Sequence, residues 1–175
     1  MKKTLFLVIL FSFAAVLSQA QIFHCTVETK TGATPFSLRY IDYYDYRYIL
    51  YIRETAFFLD ERRLETLRDL LAKWFEWEAI ASSEQAAVTK LIDVLEIDEY
   101  LYHDEFTKVP VTLYFVFSGT PPAFTLYVNV GAEVVPDFRF SKEQVEAFLD
   151  ALTADHLDAA RAEYDKQKRL EQLLN

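Results

Sequence analysis

A single α+β domain is the architecture this sequence predicts, with a mainly antiparallel sheet of about six or seven strands and two helices on one face. Three observations carry that expectation. Apolar and polar residues alternate over Ile22–Lys30, Phe36–Tyr40, Val109–Phe117 and Phe124–Val130, which is the pattern of half-buried strands. Turn residues join these runs in pairs, as in hairpins. Two helix starts carry one and the same device, an N-cap flanked by a hydrophobic staple.

Taken in order, the chain begins with Lys2 and Lys3, an apolar run from Thr4 to Leu17, and Ser18-Gln19-Ala20. This is the layout of a secretory signal, with small residues at the −3 and −1 positions of the cut. The apolar run is short for a membrane span, which needs about 20 residues. Residues 1–20 are therefore expected to be a cleaved signal peptide outside the fold, leaving one domain over 21–175. The position after the cut is Gln21 and the one Cys is at 25, which argues against a lipid anchor.

The first hairpin is expected from Ile22–Lys30, a turn over Thr31-Gly32-Ala33-Thr34-Pro35, and Phe36–Tyr40. Phe23, Cys25 and Val27 form one face and His24, Thr26 and Glu28 the other. The run Asp42–Arg47 reads as a connection and Tyr48–Arg53 as a third strand. Asp60 then caps a helix from Glu61 to about Ser82, with Leu59 and Leu64 as the staple. Leu64, Leu67, Leu71, Trp74 and Phe75 form its apolar stripe. Trp77 falls at the stripe's edge.

Residues 87–97 fit a helix by the spacing of Val88, Leu91, Ile92 and Leu95, and a strand by their β-branched content. A connecting strand is the expectation. Asp98–Phe106 is acidic and reads as a loop. The second hairpin sets its own register: Phe117 against Phe124, Phe115 against Leu126, Leu113 against Val128 and Val111 against Val130 put apolar on apolar throughout. On the other face Tyr114 meets Tyr127. Ser141 then caps a helix from Lys142, with Gln144 in the capping-box place and Phe140 and Val145 as the staple. That helix is expected to continue to Leu173, with a charged tail over 161–175. The two hairpins and two capped helices suggest an internal duplication of a hairpin–strand–helix unit, over about 21–84 and 107–160.

Composition narrows function. Without residues 1–20, 16 basic and 27 acidic residues remain, a net charge near −11. That argues against nucleic acid and anionic membrane surfaces, which call for Lys/Arg stripes. With 11 Tyr, 15 Phe and only 3 Gly, the chain has the composition of a packed domain. No phosphate-binding, dinucleotide, zinc-protease or nucleophile-elbow motif occurs, so no cofactor, metal or catalytic residue is assigned. Cys25 with His103 or His156 is the nearest thing to a nucleophile and base, and nothing in the spacing orients them. The acidic run Glu96, Asp98, Glu99, His103, Asp104 and Glu105 matches no calcium loop.

The feature above background is Tyr40–Tyr51, with six tyrosines. Tyrosine offers amphipathic contact area at small entropic cost. Tyr43, Tyr44 and Tyr46 fall between two strands and are the candidate binding residues. The functional expectation is a non-catalytic binding or interaction domain of the cell envelope, periplasmic or secreted. Its partner would be another envelope protein or a small ligand. The alternatives are a small periplasmic enzyme and a structural or assembly component.

Overall fold

A computed structural model describes residues 19–29, 32–52, 55–84, 87–100, 105–118, 124–130 and 138–174, with only the backbone described over 124–130. The fold is α+β, and among the described residues there are eight antiparallel strand segments in sequence order: β1 Ala20–Thr29, β2 Gly32–Tyr43, β3 Tyr46–Ile52, β4 Thr55–Leu59, β5 Val88–Tyr100, β6 Phe106–Phe117, β7 Phe124–Val130 and β8 Phe138–Ser141. Each strand pairs with the next, and β1 also meets β8 at Glu28 and Arg139, which closes the ring. Helix α1 is Glu61–Glu84, α2 Lys142–Ala151 and α3 Ala154–Leu174.

Both helix starts are built as their sequences dictate. Arg63 N–H donates to Asp60 Oδ1 at 2.7 Å. Ser141 and Gln144 form the reciprocal box: Gln144 N–H donates to Ser141 Oγ at 3.4 Å, and Ser141 N–H to Gln144 Oε1 at 2.9 Å. All four staple residues, Leu59, Leu64, Phe140 and Val145, are buried. The second hairpin has the register that its apolar pattern demands, from Val111 opposite Val130 to Phe117 opposite Phe124, with Tyr114 opposite Tyr127. The segment 88–97 is strand, laddered to β6.

Alternate residues of the strands and the stripes of the helices merge into one core. Phe23 stacks on Phe148 of α2 at 4.7 Å between ring centroids, and Trp74 of α1 meets Phe115 edge-on at 5.6 Å. Trp74 is fully buried and Trp77 packs at the core's margin.

Several boundaries differ from the sequence expectation. Ala20 is already in β1, opposite Tyr40 and buried, so the fold takes in two residues before Gln21. The expected turn over 31–35 is mostly strand: Gly32 to Pro35 pair with β1, and Gly32 holds a φ of +125° that suits glycine. Pro35 is tolerated because the β3 ladder begins only at Phe36. Pro110 sits in the same way, one residue outside the β7 ladder. The expected loop over 98–106 is instead the end of β5 and the start of β6, with Tyr100 opposite Phe106; residues 101–104 lie outside the described set.

The last helix is broken. Leu152 N–H donates to Leu149 O and Thr153 N–H to Asp150 O, both at 3.1 Å, and Leu152 is drawn fully into the core. This short-ranged turn redirects α3, so that Ala160 and Tyr164 pack on the barrel while Leu173 and Leu174 are exposed. Four strands and a helix occur twice in the element order. The two similar hairpins hold different places in it, however: β1–β2 opens the first half, whereas β6–β7 lies in the middle of the second, and β5 begins that half. Among the described residues no helix is long and apolar enough to cross a membrane.

Candidate functional site

The alternation that sends Tyr40, Tyr48, Leu50, Phe57 and Leu59 toward the helices sends Ile41, Ile49 and Phe58 the other way. These three form a second buried cluster, separate from the helix-packed core, with Tyr43, Tyr46, Tyr51, Ala56 and Phe106 packed around it. Phe58 is its hub: its ring centroid lies 5.4 Å from that of Tyr46, 5.8 Å from Tyr43, 5.3 Å from Phe106 and 6.0 Å from Tyr100. An open groove of about 380 Å³ runs over this cluster, floored by Ile49, Tyr51 and Phe58 and walled by Tyr43, Tyr100 and Gln19.

The candidate tyrosines part company here. Only Tyr44 and Asp45 form the turn between β2 and β3. A register shift between Tyr40 and Tyr43 sets Tyr43 opposite Tyr46. Tyr43 is half-buried and lines the groove. Tyr44 is 68% exposed at the hairpin tip, edge-on to Tyr43 at 4.6 Å, with a φ of 51°. The left-handed region costs an L-residue roughly 1–2 kcal/mol. Tyr46 belongs to the scaffold: its hydroxyl donates to Asp98 Oδ2 at 2.9 Å.

Asp98 ties this face to the helix layer. It is buried, and Arg63 Nη1 lies 2.8 Å from its Oδ2 and 3.2 Å from Asp60 Oδ2, while Arg63 Nε donates to the Glu96 carbonyl at 3.0 Å. A buried carboxylate is held this way only when its lone pairs are met. Burial, and then the hydrogen bond to the Asp98 carboxylate, push the Tyr46 phenol up to about 12.

The polar end of the groove is a trio that sequence reasoning missed. Arg39 Nη1 donates to Gln19 Oε1 at 3.1 Å, and the Tyr51 hydroxyl lies 3.1 Å from Gln19 Nε2 and 3.3 Å from its Oε1. The Arg39 guanidinium rests over the Tyr51 ring at 5.2 Å. Asp42, at the rim, meets Arg47 at 3.3 Å and Lys168 of α3 at 3.2 Å. The chain matches no family model, no curated protein and no solved structure.

The remaining sequence candidates lie elsewhere. Cys25 is half-buried in β1, and burial pushes its thiol up to about 11, away from the thiolate that a nucleophile needs. His156 occupies the α2–α3 break, its Nδ1 2.9 Å from the Asp150 carbonyl and 3.1 Å from the Thr153 hydroxyl. His103 and Asp104 fall outside the described residues. Among the described residues no three His, Cys, Asp or Glu side chains gather as metal ligands would.

Proposed function

We propose that this chain is an exported binding domain of the cell envelope, periplasmic or secreted, whose aromatic groove holds an apolar group of another envelope protein or of a small ligand. The observation that carries the reading is the groove over Ile49, Tyr51 and Phe58, an open aromatic surface on the side of these strands opposite the main core, with Tyr164 of α3 at its edge. Such surfaces concentrate contact energy when a partner seats on them. Tyr44 supports it: a large aromatic ring presented at a hairpin tip in a costly backbone conformation contributes little to the fold. Tyr43 and Tyr44 then contact the partner, and Tyr46 positions Phe58 from beneath. The Lys-Lys, apolar and Ser-Gln-Ala arrangement of the N-terminus supports export, with cleavage after Ala20.

Two measurements test this. Mass spectrometry of the protein recovered from the envelope should show a chain beginning at Gln21; an intact Met1 or a lipid adduct would sink export. A Tyr43→Ser, Tyr44→Ser double variant should keep its unfolding free energy within about 1 kcal/mol of the parent, at about 0.5 kcal/mol for each surface change. It should also lose capture of whatever the tagged parent retains from envelope extract. Unfolding of that variant would return both tyrosines to the scaffold.

A further inference from the structure

The trio at the end of the groove changes on export. Gln19 stands two residues before the expected cut, so hydrolysis of the Ala20–Gln21 peptide bond removes it. Water supplies the oxygen of the new Ala20 carboxylate and the hydrogens that complete the new Gln21 amino group. What remains is a pair of donors whose acceptor has left. Gln19 and Tyr51 line the groove and Arg39 adjoins it through Gln19, so the Arg39 Nη1 and Tyr51 hydroxyl that had met Gln19 Oε1 at 3.1 and 3.3 Å are left beside the space that Gln19 vacates. One amide oxygen engages only one arm of the guanidinium, at Nη1, whereas a carboxylate can take Nη1 and Nη2 together, the stronger two-pronged geometry. The same guanidinium is steadied from behind by the Tyr51 ring.

The geometry points to a carboxylate site that processing opens: Gln19 is an internal placeholder, and the mature protein binds an acid with an apolar or aromatic body. The carboxylate sits on Arg39 and Tyr51, and the body lies along Ile49, Phe58 and Tyr100. This rests on the export reading and on the groove as the binding face. It adds the chemical class of the occupant and the step that admits it. A free aryl acid and the C-terminal carboxylate of a peptide ending in Phe share this chemistry.

The test compares three proteins: the processed chain, the unprocessed full chain in mild detergent with a protein-free blank, and the full chain carrying Gln19→Ala. Calorimetric titration uses 3-phenylpropionate and N-acetyl-Ala-Ala-Phe as acids, with 3-phenylpropanol and the C-terminal amide of N-acetyl-Ala-Ala-Phe as uncharged controls. The processed chain and the Gln19→Ala chain should bind at least one of the acids tenfold or more tighter than its control, and which acid responds identifies the source. The unprocessed parent should bind that acid at least tenfold more weakly. Arg39→Gln and Tyr51→Phe should each lose the acid preference. Equal binding of acids and controls overturns the carboxylate site while leaving the groove as a binding face. Equal affinity of the parent and Gln19→Ala chains overturns the placeholder. An intact Met1 on the native protein sinks export alone, and the Gln19→Ala chain still decides whether the site exists.

Discussion

The two faces of the sheet come from one alternation and end in different states. The covered face is mostly Phe, Leu, Ile and Val, with Tyr40 and Tyr48 among them, closed over by Trp74 and Phe148 from the helices and by Leu152 from the turn between α2 and α3, with side chains such as Leu113 and Phe115 at 1% exposure. Among the described residues, the opposite face gathers three buried hydrophobic residues, Ile41, Ile49 and Phe58, with Tyr43, Tyr46 and Tyr51 packed around them. The difference lies in what each face can satisfy. Tyrosine buries a ring yet keeps a hydroxyl for a partner or for water, so a face rich in it can remain open where a leucine face cannot. Asp98 and Arg63 form a charged link between the two, joining β5 on the open side to the first turn of α1.

The comparison breaks first if the faces are equally important to stability. Leu113→Ala should cost about 2–5 kcal/mol in urea unfolding, as large-to-small changes in closed cores do, while Thr112→Ala on the opposite side of β6 should cost far less. Equal losses would mean that β6 is not sided as described. Next in size is the link. Arg63→Ala leaves the Asp98 carboxylate buried without its cation and should cost about 1–3 kcal/mol. Arg47→Ala, which breaks the solvent-exposed pair with Asp42, should cost about 0–1 kcal/mol. The caps follow: Asp60→Ala and Ser141→Ala should each lower stability by about 1 kcal/mol, and an unchanged urea midpoint would remove the cap from that helix.

Alkaline titration sharpens the role of Tyr46. Its phenol ionises at about 12 in the folded chain against an ordinary 10.0, so the fold favours the neutral form. The stability this contributes is complete below about pH 10 and is lost as pH rises toward 12. The stability difference between parent and Tyr46→Phe should therefore shrink across that window, and a difference that stayed constant would detach the hydroxyl from Asp98. The smallest effect is expected at Tyr44. Tyr44→Asn relieves a φ of 51° that asparagine tolerates, so stability should hold or rise by up to about 1 kcal/mol. A loss larger than that would make Tyr44 a structural residue.

Features that depend on neighbours along the chain can be read from the amino-acid order. Caps are made between residues three apart, and hairpin register is set by facing apolar pairs, so Ser141 with Gln144 and Leu113 with Val128 are legible in the sequence alone. The break at Leu152 is not, because it is set by one leucine being drawn into a core built from distant strands, and the apolar line that runs on through Leu157, Ala160 and Tyr164 reads as a continuing helix. Nor is the strand character of 98–100: an acidic stretch reads as a loop until Arg63, which lies 35 positions before Asp98, neutralises it. The tyrosine run is legible as a candidate, and its division into groove wall, exposed tip and buried anchor is not. Only the closed ring of strands brings Phe58, Tyr100 and Phe106 beneath Tyr43 and Tyr46 and sets Arg39, Tyr51 and Gln19 at one end of a groove. Contacts across such distances are chosen by packing and electrostatics in three dimensions, and sequence periodicity carries no record of them.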